Sequence, residues 1–330
     1  MARRSTSGSG DSGGRVKAGP KPMLPGALNP LGTDIAVLVV SYRSASQVED
    51  LVGDLCQSPQ AAFLHLSIVD NSLDAAEADR LSRVVGDHAS RFAECILTVA
   101  SANEGYAAGN NLAYSALRGQ RLGMVFVMNP DIRLPKCDFA DALAAAGRSD
   151  AVVVADEERE SGEILSGIGA LSLLSGRSSA PRRGVMRHLY REYPKGHFFG
   201  VTQRLWDRGS GLDERFFLYC EEVDLVLRHG LPASQLHVSS GFRVIHTGGL
   251  TTGSARRKSD TTRFHANRSR GILYRSHPGL RWFLPVMVPF RVALGIMDAV
   301  AAGGSTATLS GLVAGLRDPI SRIQSGGGVR

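Results

Sequence analysis

The residues best placed to do chemistry stand in five short polar clusters. They are Asp70-Asn71-Ser72, the asparagines Asn103, Asn110 and Asn111 of NEGYAAGNN, the tripeptide Asn129-Pro130-Asp131, the acidic pair Glu221-Glu222, and His246 closing FRVIH. A carboxylate that follows a buried strand, as Asp131 does, is costly unless it meets a ligand, a metal or water. Pro130 fixes one backbone torsion before it and helps aim it outward. One such oxygen beside a diphosphate suits Mg²⁺ or Mn²⁺, which take one or two carboxylates plus substrate oxygens. Neutral imidazole at His246 can complete such a site. The asparagine amides offer donors and acceptors to ribose or sugar hydroxyls. Glu221 and Glu222 open a predicted helix whose N-terminal dipole favours their charge. Adjacent helical residues point about 100° apart, so the two acids serve different roles, one facing a reacting hydroxyl and the other making contacts. Asp224 and Arg228, four apart, can pair along the same helix. Each cluster alone also reads as a plain turn, cap or loop; their convergence is what points to a site.

The apolar pattern shows how they converge. Residues 35–42 form a continuous β-branched run, the mark of a strand covered on both faces. A helix is predicted over 46–56, with Val48, Leu51, Val52 and Leu55 on one stripe and Ser46 as its cap. Strands over 64–69, 95–99 and 123–128 alternate with helices over 75–85 and from the asparagine loop through 117. This alternation predicts an α/β fold with a mostly parallel sheet flanked by helices, which binds ligands beyond the carboxyl ends of its strands. Asp70-Asn71, the asparagine loop and Asn129-Pro130-Asp131 all fall at that edge. Farther on, strands are expected over 151–155 and, bent at Gly167 and Gly169, over 164–174. A basic mobile loop is expected over 175–193. GHFFGV and RFFLY read as aromatic strands around a helix at 202–208, followed by a helix at 221–229 and a strand-like segment at 236–246. TGGLTTG after His246 offers close backbone approach to a ligand.

Composition narrows the class. The chain has 330 residues, 43% hydrophobic and 21% charged, enough to bury a core and too apolar for wholesale disorder. Cys56, Cys95, Cys137 and Cys220 are widely spaced, which speaks against a disulfide framework, a zinc module or an iron–sulfur site and fits a reducing cytoplasm. The net charge of +7 is uneven: residues 34–250 carry 21 bases and 27 acids, whereas residues 251–330 carry 12 bases and three acids. An acidic body argues against nucleic-acid binding. The basic C-terminal end suits either peripheral contact with an anionic membrane surface on the cytoplasmic side or a solvated basic tail. No segment reads as a membrane span, because the run over 282–290 is short and holds Pro285 and Pro289. Interfacial helices are the alternative, with Trp282 and Phe283 dipping in and Arg281 and Arg291 at the headgroups. The N-terminal residues lack an apolar stretch and read as a disordered basic leader over 1–33. NEGYAAGNN is not GxGxxG and no Walker lysine follows, so dehydrogenase and P-loop readings gain nothing.

The ordered set SYRSASQ, VDNS, NEGYAAGNN, MNPDI, GLDERFFLYCEEVDLVLR and HTGG resembles glycosyltransferase family 2, in its rhamnosyltransferase-like branch, over about residues 34–275. The resemblance implies a GT-A (Rossmann-like) fold and inverting transfer from a nucleoside-diphosphate sugar, assisted by Mg²⁺ or Mn²⁺. It implies that Asp70 reads the nucleobase, and that Tyr42 and Asn103 lie around the nucleoside. Asp131 matches the last acid of the family's DXD motif, with Asn129 in place of the first. His246 matches a residue that helps hold the metal. Glu222 falls at the base, where the family has Asp, and Glu221 at the acceptor-contact position. Arg43 replaces the family's usual Asn. The implied organisation is a glycosyltransferase domain over 34–275, with a nucleotide-sugar half (34–135) and an acceptor half (136–275). A C-terminal amphipathic helical extension covers 276–330. The implied acceptor is a saccharide, lipid-linked, in surface polysaccharide synthesis. Two rival readings are a catalytically weak binding subunit and a sugar nucleotidylyltransferase, for which SYRSASQ supplies only Arg43.

Overall fold

The computed structural model describes residues 15–17, 34–147, 150–159, 161–181, 184–246, 259–301 and 304–319. The chain begins with β1 (Arg15–Lys17), β2 (Asp34–Ser41), α1 (Ala45–Leu55), β3 (Leu64–Asp70), α2 (Ala75–His88), β4 (Glu94–Val99), α3 (Tyr106–Ala116) and β5 (Leu122–Met128). Next come β6 (Ile132–Cys137), α4 (Ala140–Ala146), β7 (Val152–Val154), β8 (Glu157–Glu158), β9 (Ile164–Leu165), β10 (Ile168–Ser172), β11 (Ser178–Ser179) and β12 (Tyr190–Pro194). β13 (Phe198–Thr202), α5 (Gln203–Arg208), α6 (Glu221–His229), β14 (Leu236–Val238) and β15 (Phe242–His246) follow. Four helices close the described chain: α7 (Asp260–Ser276), α8 (Pro278–Arg281), α9 (Leu284–Ala301) and α10 (Ala307–Arg317).

The main sheet has the order β1-β4-β3-β2-β5-β13-β7-β14. β4, β3, β2 and β5 run parallel, as the strand–helix alternation requires. The sheet is nevertheless mixed, because β13 lies antiparallel to both β5 and β7. In β2, Ile35, Val37 and Val39 face one core with α1 and α2, while Ala36 and Leu38 face the other with α3. Burial on both faces explains the unbroken apolar run; each fully buried side chain contributes about 1.5–3 kcal/mol. A four-stranded sheet (β6-β15-β8-β9) and a three-stranded one (β11-β10-β12) complete the body. A third core, including Tyr193, Phe216, Val223, Ile272 and Tyr274, fastens α6 and the β10–β12 sheet to the C-terminal helices.

Several expectations need correction. Residues 15–17, expected to be disordered, form an edge strand against β4; the rest of the leader lies outside the described residues. Ser46 does not cap α1: the helix starts at Ala45, whose N–H donates to Glu77 Oε1 at 2.7 Å, so a carboxylate from α2 takes the capping role. The basic segment over 175–193 is not simply a loop, since β11 and β12 both pair with β10. RFFLY is no strand; Tyr219 and Cys220 take left-handed backbone angles to turn the chain into α6. The 236–246 segment is two strands in different sheets. The apolar run over 282–290 is not broken by its prolines. Pro285 falls in the first turn of α9, where a missing N–H is no loss, and Pro289 sits on the exposed face. The 18-residue helix is long and apolar enough to cross a membrane by length and composition. Arg291 is buried rather than at a surface.

Candidate active site

The carboxyl edge of the parallel strands carries the first half of the site. Ser41 at the end of β2 is level with Asp70 at the end of β3, and Asp70 with Val99 of β4. Asp70 is fully buried; its Oδ1 accepts from the Ser72 N–H at 2.8 Å, and Oδ2 has no hydrogen-bond partner among the described residues. A buried acceptor left open is costly unless a ligand donor meets it. Tyr42 is 43% exposed, with the Arg43 guanidinium 5.7 Å from its ring centre. Asn103 turns the loop by accepting from the Gly105 N–H at 3.1 Å. Asn110 is buried and donates to the Tyr106 carbonyl at 2.9 Å. Asn111 donates to the Leu212 carbonyl and Glu214 Oε1 and accepts from the Leu212 N–H, all within 2.9 Å. These contacts make Asn111 a strap between α3 and the 212–214 loop, while the buried Asn110 Oδ1 has no hydrogen-bond partner among the described residues.

The second half gathers at the end of β5. The Asn129 N–H donates to the His197 carbonyl at 2.9 Å, continuing the β5–β13 pairing past Met128. Two residues on, Asp131 precedes β6, whose Ile132 is level with His246 of β15. That register brings Asp131 Oδ2 within 3.4 Å of His246 Nε2. β6 is itself pinned to α1: Arg133 Nε and the Leu134 N–H both donate to Asp54, at 2.7 and 2.8 Å. β8 runs parallel to β15 and delivers Glu157, whose carboxylate lies 3.9 Å from His246 Nδ1 and 3.8 Å from His197 Nε2. The His197 and His246 rings stack, with centres 4.7 Å apart.

Glu157, His197 and His246 offer ligand atoms all within 4.8 Å of one another and can hold a metal ion. The side chains present suit one. Burial drives the His197 pKa down to about 3, helped by His246 and Lys195, so the imidazole is neutral, and its buried Nε2 has no hydrogen-bond partner among the described residues. Burial also opposes charge on His246, but its bond to Asp131 and the nearby Glu157 outweigh that and raise its pKa. Asp131 is shifted the other way: burial alone would raise its pKa, and the His246 partner brings it below the ordinary carboxylate range. Glu157 and His197 were not among the residues singled out from the sequence.

The acidic pair joins the same cleft. Glu221 and Glu222 are 3% and 9% exposed. The Glu222 carboxylate packs on the turn before His197: a Cβ on Gly196 would lie 3.7 Å from its Oε1. Tyr106, also missed in sequence, is the link. Its hydroxyl donates to the Gly196 carbonyl at 2.8 Å, and its N–H donates to the Phe217 carbonyl. Burial chiefly, then the charges of Glu221, Glu222 and Asp131, hold its phenol far above the usual pKa. Burial raises the pKa of both glutamates; repulsion by Glu222 adds to the effect on Glu221, and backbone hydrogen bonding and Arg270 moderate it on Glu222. Asp224 does not share the cleft. It pairs with Arg228 at 3.0 Å, as the helical spacing predicts, and with His277 at 2.8 Å, tying α6 to the C-terminal helices. TGGLTTG lies outside the described residues.

The architecture is the GT-A fold. It matches Staphylococcus aureus TarS in complex with UDP at a TM-score of 0.50 and 12% identity, over 82% of this chain and 75% of that one. It matches the mannosyltransferase PcManGT from Pyrobaculum calidifontis, in complex with GDP-Man and Mn²⁺, at 0.50 and 12%, over 86% of each chain. At such identities the likeness is one of fold. In sequence, the chain is 30% identical over 70 residues to rhamnosyltransferase WbbL of Escherichia coli (strain K12). That match spans 21% of this chain and only about a quarter, 26%, of the relative. No family model matches the chain.

Proposed function

We propose that the protein is an inverting, metal-assisted glycosyltransferase that moves a sugar from a nucleoside diphosphate to a hydroxyl of a saccharide acceptor, lipid-linked in surface polysaccharide synthesis. The observation that carries this reading is the meeting, at the carboxyl edge of a GT-A sheet, of the Asp131–His246 pair with Glu157, His197 and the turn under Glu222. Asp70, with Tyr42 beside it, would bind the nucleoside; Asn129 and Asp131 would face the diphosphate. Asp131, Glu157, His197 and His246 would hold the ion; two imidazoles favour Mn²⁺ over Mg²⁺, which prefers an all-oxygen shell. Such an ion, when bound, neutralises charge on the departing diphosphate.

Glu222 supplies the base. It takes the proton of the acceptor hydroxyl as that oxygen bonds to the anomeric carbon, while the bond to the diphosphate oxygen breaks and its electron pair leaves with the diphosphate. Glu221 holds the acceptor. Positioned general bases contribute about 10²–10⁴-fold, so Glu222→Gln should lower transfer by about that factor with the fold intact. The test is release of nucleoside diphosphate from a panel of nucleotide sugars, with Mn²⁺ and a lipid-linked saccharide extract. Wild-type protein should turn over one donor class, and Asp131→Ala should not. Full turnover by Glu222→Gln would remove the proposed base; no release from any donor would remove the enzyme reading.

A further inference from the structure

Helix α9 is built inside out for a helix bathed in water. Its buried residues, Met287, Arg291 and Gly295, recur every fourth position and form one stripe turned toward the protein. The charged member of the helix's middle, Arg291, lies in that stripe and donates from Nε to Asn267 Oδ1 of α7 at 3.0 Å. Asp298 also turns inward, accepting from Thr308 of α10 at 3.0 Å. The exposed arc includes Pro285, Val286, Phe290, Ile296, Met297 and Val300, and no polar side chain of the helix is among its exposed residues. Just before the helix, Trp282 is 86% exposed. A stripe this long and this apolar is far from the scattered exposure normal on a protein surface.

The inner face is firmly occupied. α10 packs backbone to backbone on α7, where a Cβ on Gly311 would fall 2.2 Å from the Phe264 carbonyl and one on Gly315 2.1 Å from that of Arg268. α7 in turn is bonded to the catalytic body, with Ser269 Oγ donating to the Leu218 carbonyl and the Tyr274 hydroxyl to that of Leu173. A helix held along one side to a folded domain, with an arginine at mid-length on that side, lies along a bilayer and does not cross it.

We propose that the outer face of α9, with Trp282, lies in the plane of an anionic lipid bilayer. Charge selects lipid over a second copy of the chain. Residues 251–330 carry 12 bases and three acids, and exposed Arg281 stands beside Trp282. With nine more bases than acids, this segment repels its counterpart in a second copy, whereas an anionic surface complements it. The inference concerns attachment and stands apart from the transferase reading.

Flotation of the full chain with vesicles tests it. The protein should float with phosphatidylglycerol-containing vesicles, bind pure phosphatidylcholine at least about tenfold less, and be released by alkaline carbonate. Phe290→Gln with Met297→Gln should lower flotation about tenfold or more, while release of nucleoside diphosphate, if any, is unchanged, since neither residue touches the cleft. Failure to float, equal flotation of the double variant, resistance to carbonate, or a dimer in size-exclusion chromatography that the double variant dissolves would each overturn the proposal. None of these readouts needs transferase activity, so either proposal can fail without the other.

Discussion

Burial raises the pKa of Glu221 and Glu222, and repulsion by Glu222 adds to the rise on Glu221. Burial raises the pKa of Glu222, and Arg270 and backbone bonding hold it lower than burial alone would. A base must be unprotonated to work, so activity should fall on the acid side at a pH well above the ordinary carboxylate range. Replacing Arg270 by Gln removes a favourable charge and should move that limb to still higher pH; a pH–rate profile of kcat/KM reads it. An unmoved limb in Arg270→Gln would show that another group titrates. The same shift has a stability consequence. The folded chain binds these protons more tightly than the unfolded chain, so the contribution is present at low pH and lost as pH rises through the raised pKa values. Glu221→Gln, measured by denaturant unfolding, should therefore flatten the loss of stability between acid and neutral pH. Glu222 stands where the resemblance expects Asp. In a cleft shaped for the longer side chain, Glu222→Asp withdraws the carboxylate by about an ångström, a displacement worth about 10²-fold in rate.

Helix α3 acts as a strut between the two halves of the cleft. Tyr106 bonds to the turn under Glu222, and Asn111 bonds to the 212–214 loop that leads toward α6. Tyr106→Phe removes one hydroxyl and leaves the Gly196 carbonyl without that partner, a loss of about 0.5–1.5 kcal/mol that denaturant unfolding can measure. An unchanged stability with unchanged kcat would show the bond to be idle. The parallel half of this design was legible in the sequence because β2, β3 and β5 are covered on both faces and so write themselves as apolar runs ending in Asp70 and Asn129-Pro130-Asp131. The later half was not. β8 is two residues long and owes its place to β15, some ninety residues away, so nothing local marks Glu157 as a neighbour of His246. His197 sits before a strand that reverses direction in the sheet, which the alternating pattern had no means to announce. The partners of Asn111 likewise lie a hundred residues on, so its tie to the 212–214 loop has no local mark.

At the scale of the molecule, the candidate metal ligands come from separate pieces of two sheets: Asp131 after β5, Glu157 on β8, His197 before β13 and His246 ending β15. The unfolded chain scatters them, so an ion that binds them binds the folded state alone. Such an ion stabilises by an amount that grows with its concentration, about 2.7 kcal/mol at a hundred times its dissociation constant. Titrating Mn²⁺ into the chelator-treated protein should therefore raise the unfolding midpoint progressively, without any nucleotide sugar present. Mg²⁺ should do so less, because two of the donors are imidazoles. His197→Ala should abolish the rise. His197 is neutral and its buried Nε2 lacks a hydrogen-bond partner among the described residues, so the fold loses packing there but no ion pair, and the variant remains a fair comparison. Glu222→Gln should keep the rise in full, since its side chain is not among the proposed ligands. An equal rise in wild type and His197→Ala would place the ion elsewhere, and loss of the rise in Glu222→Gln would merge the two proposed roles.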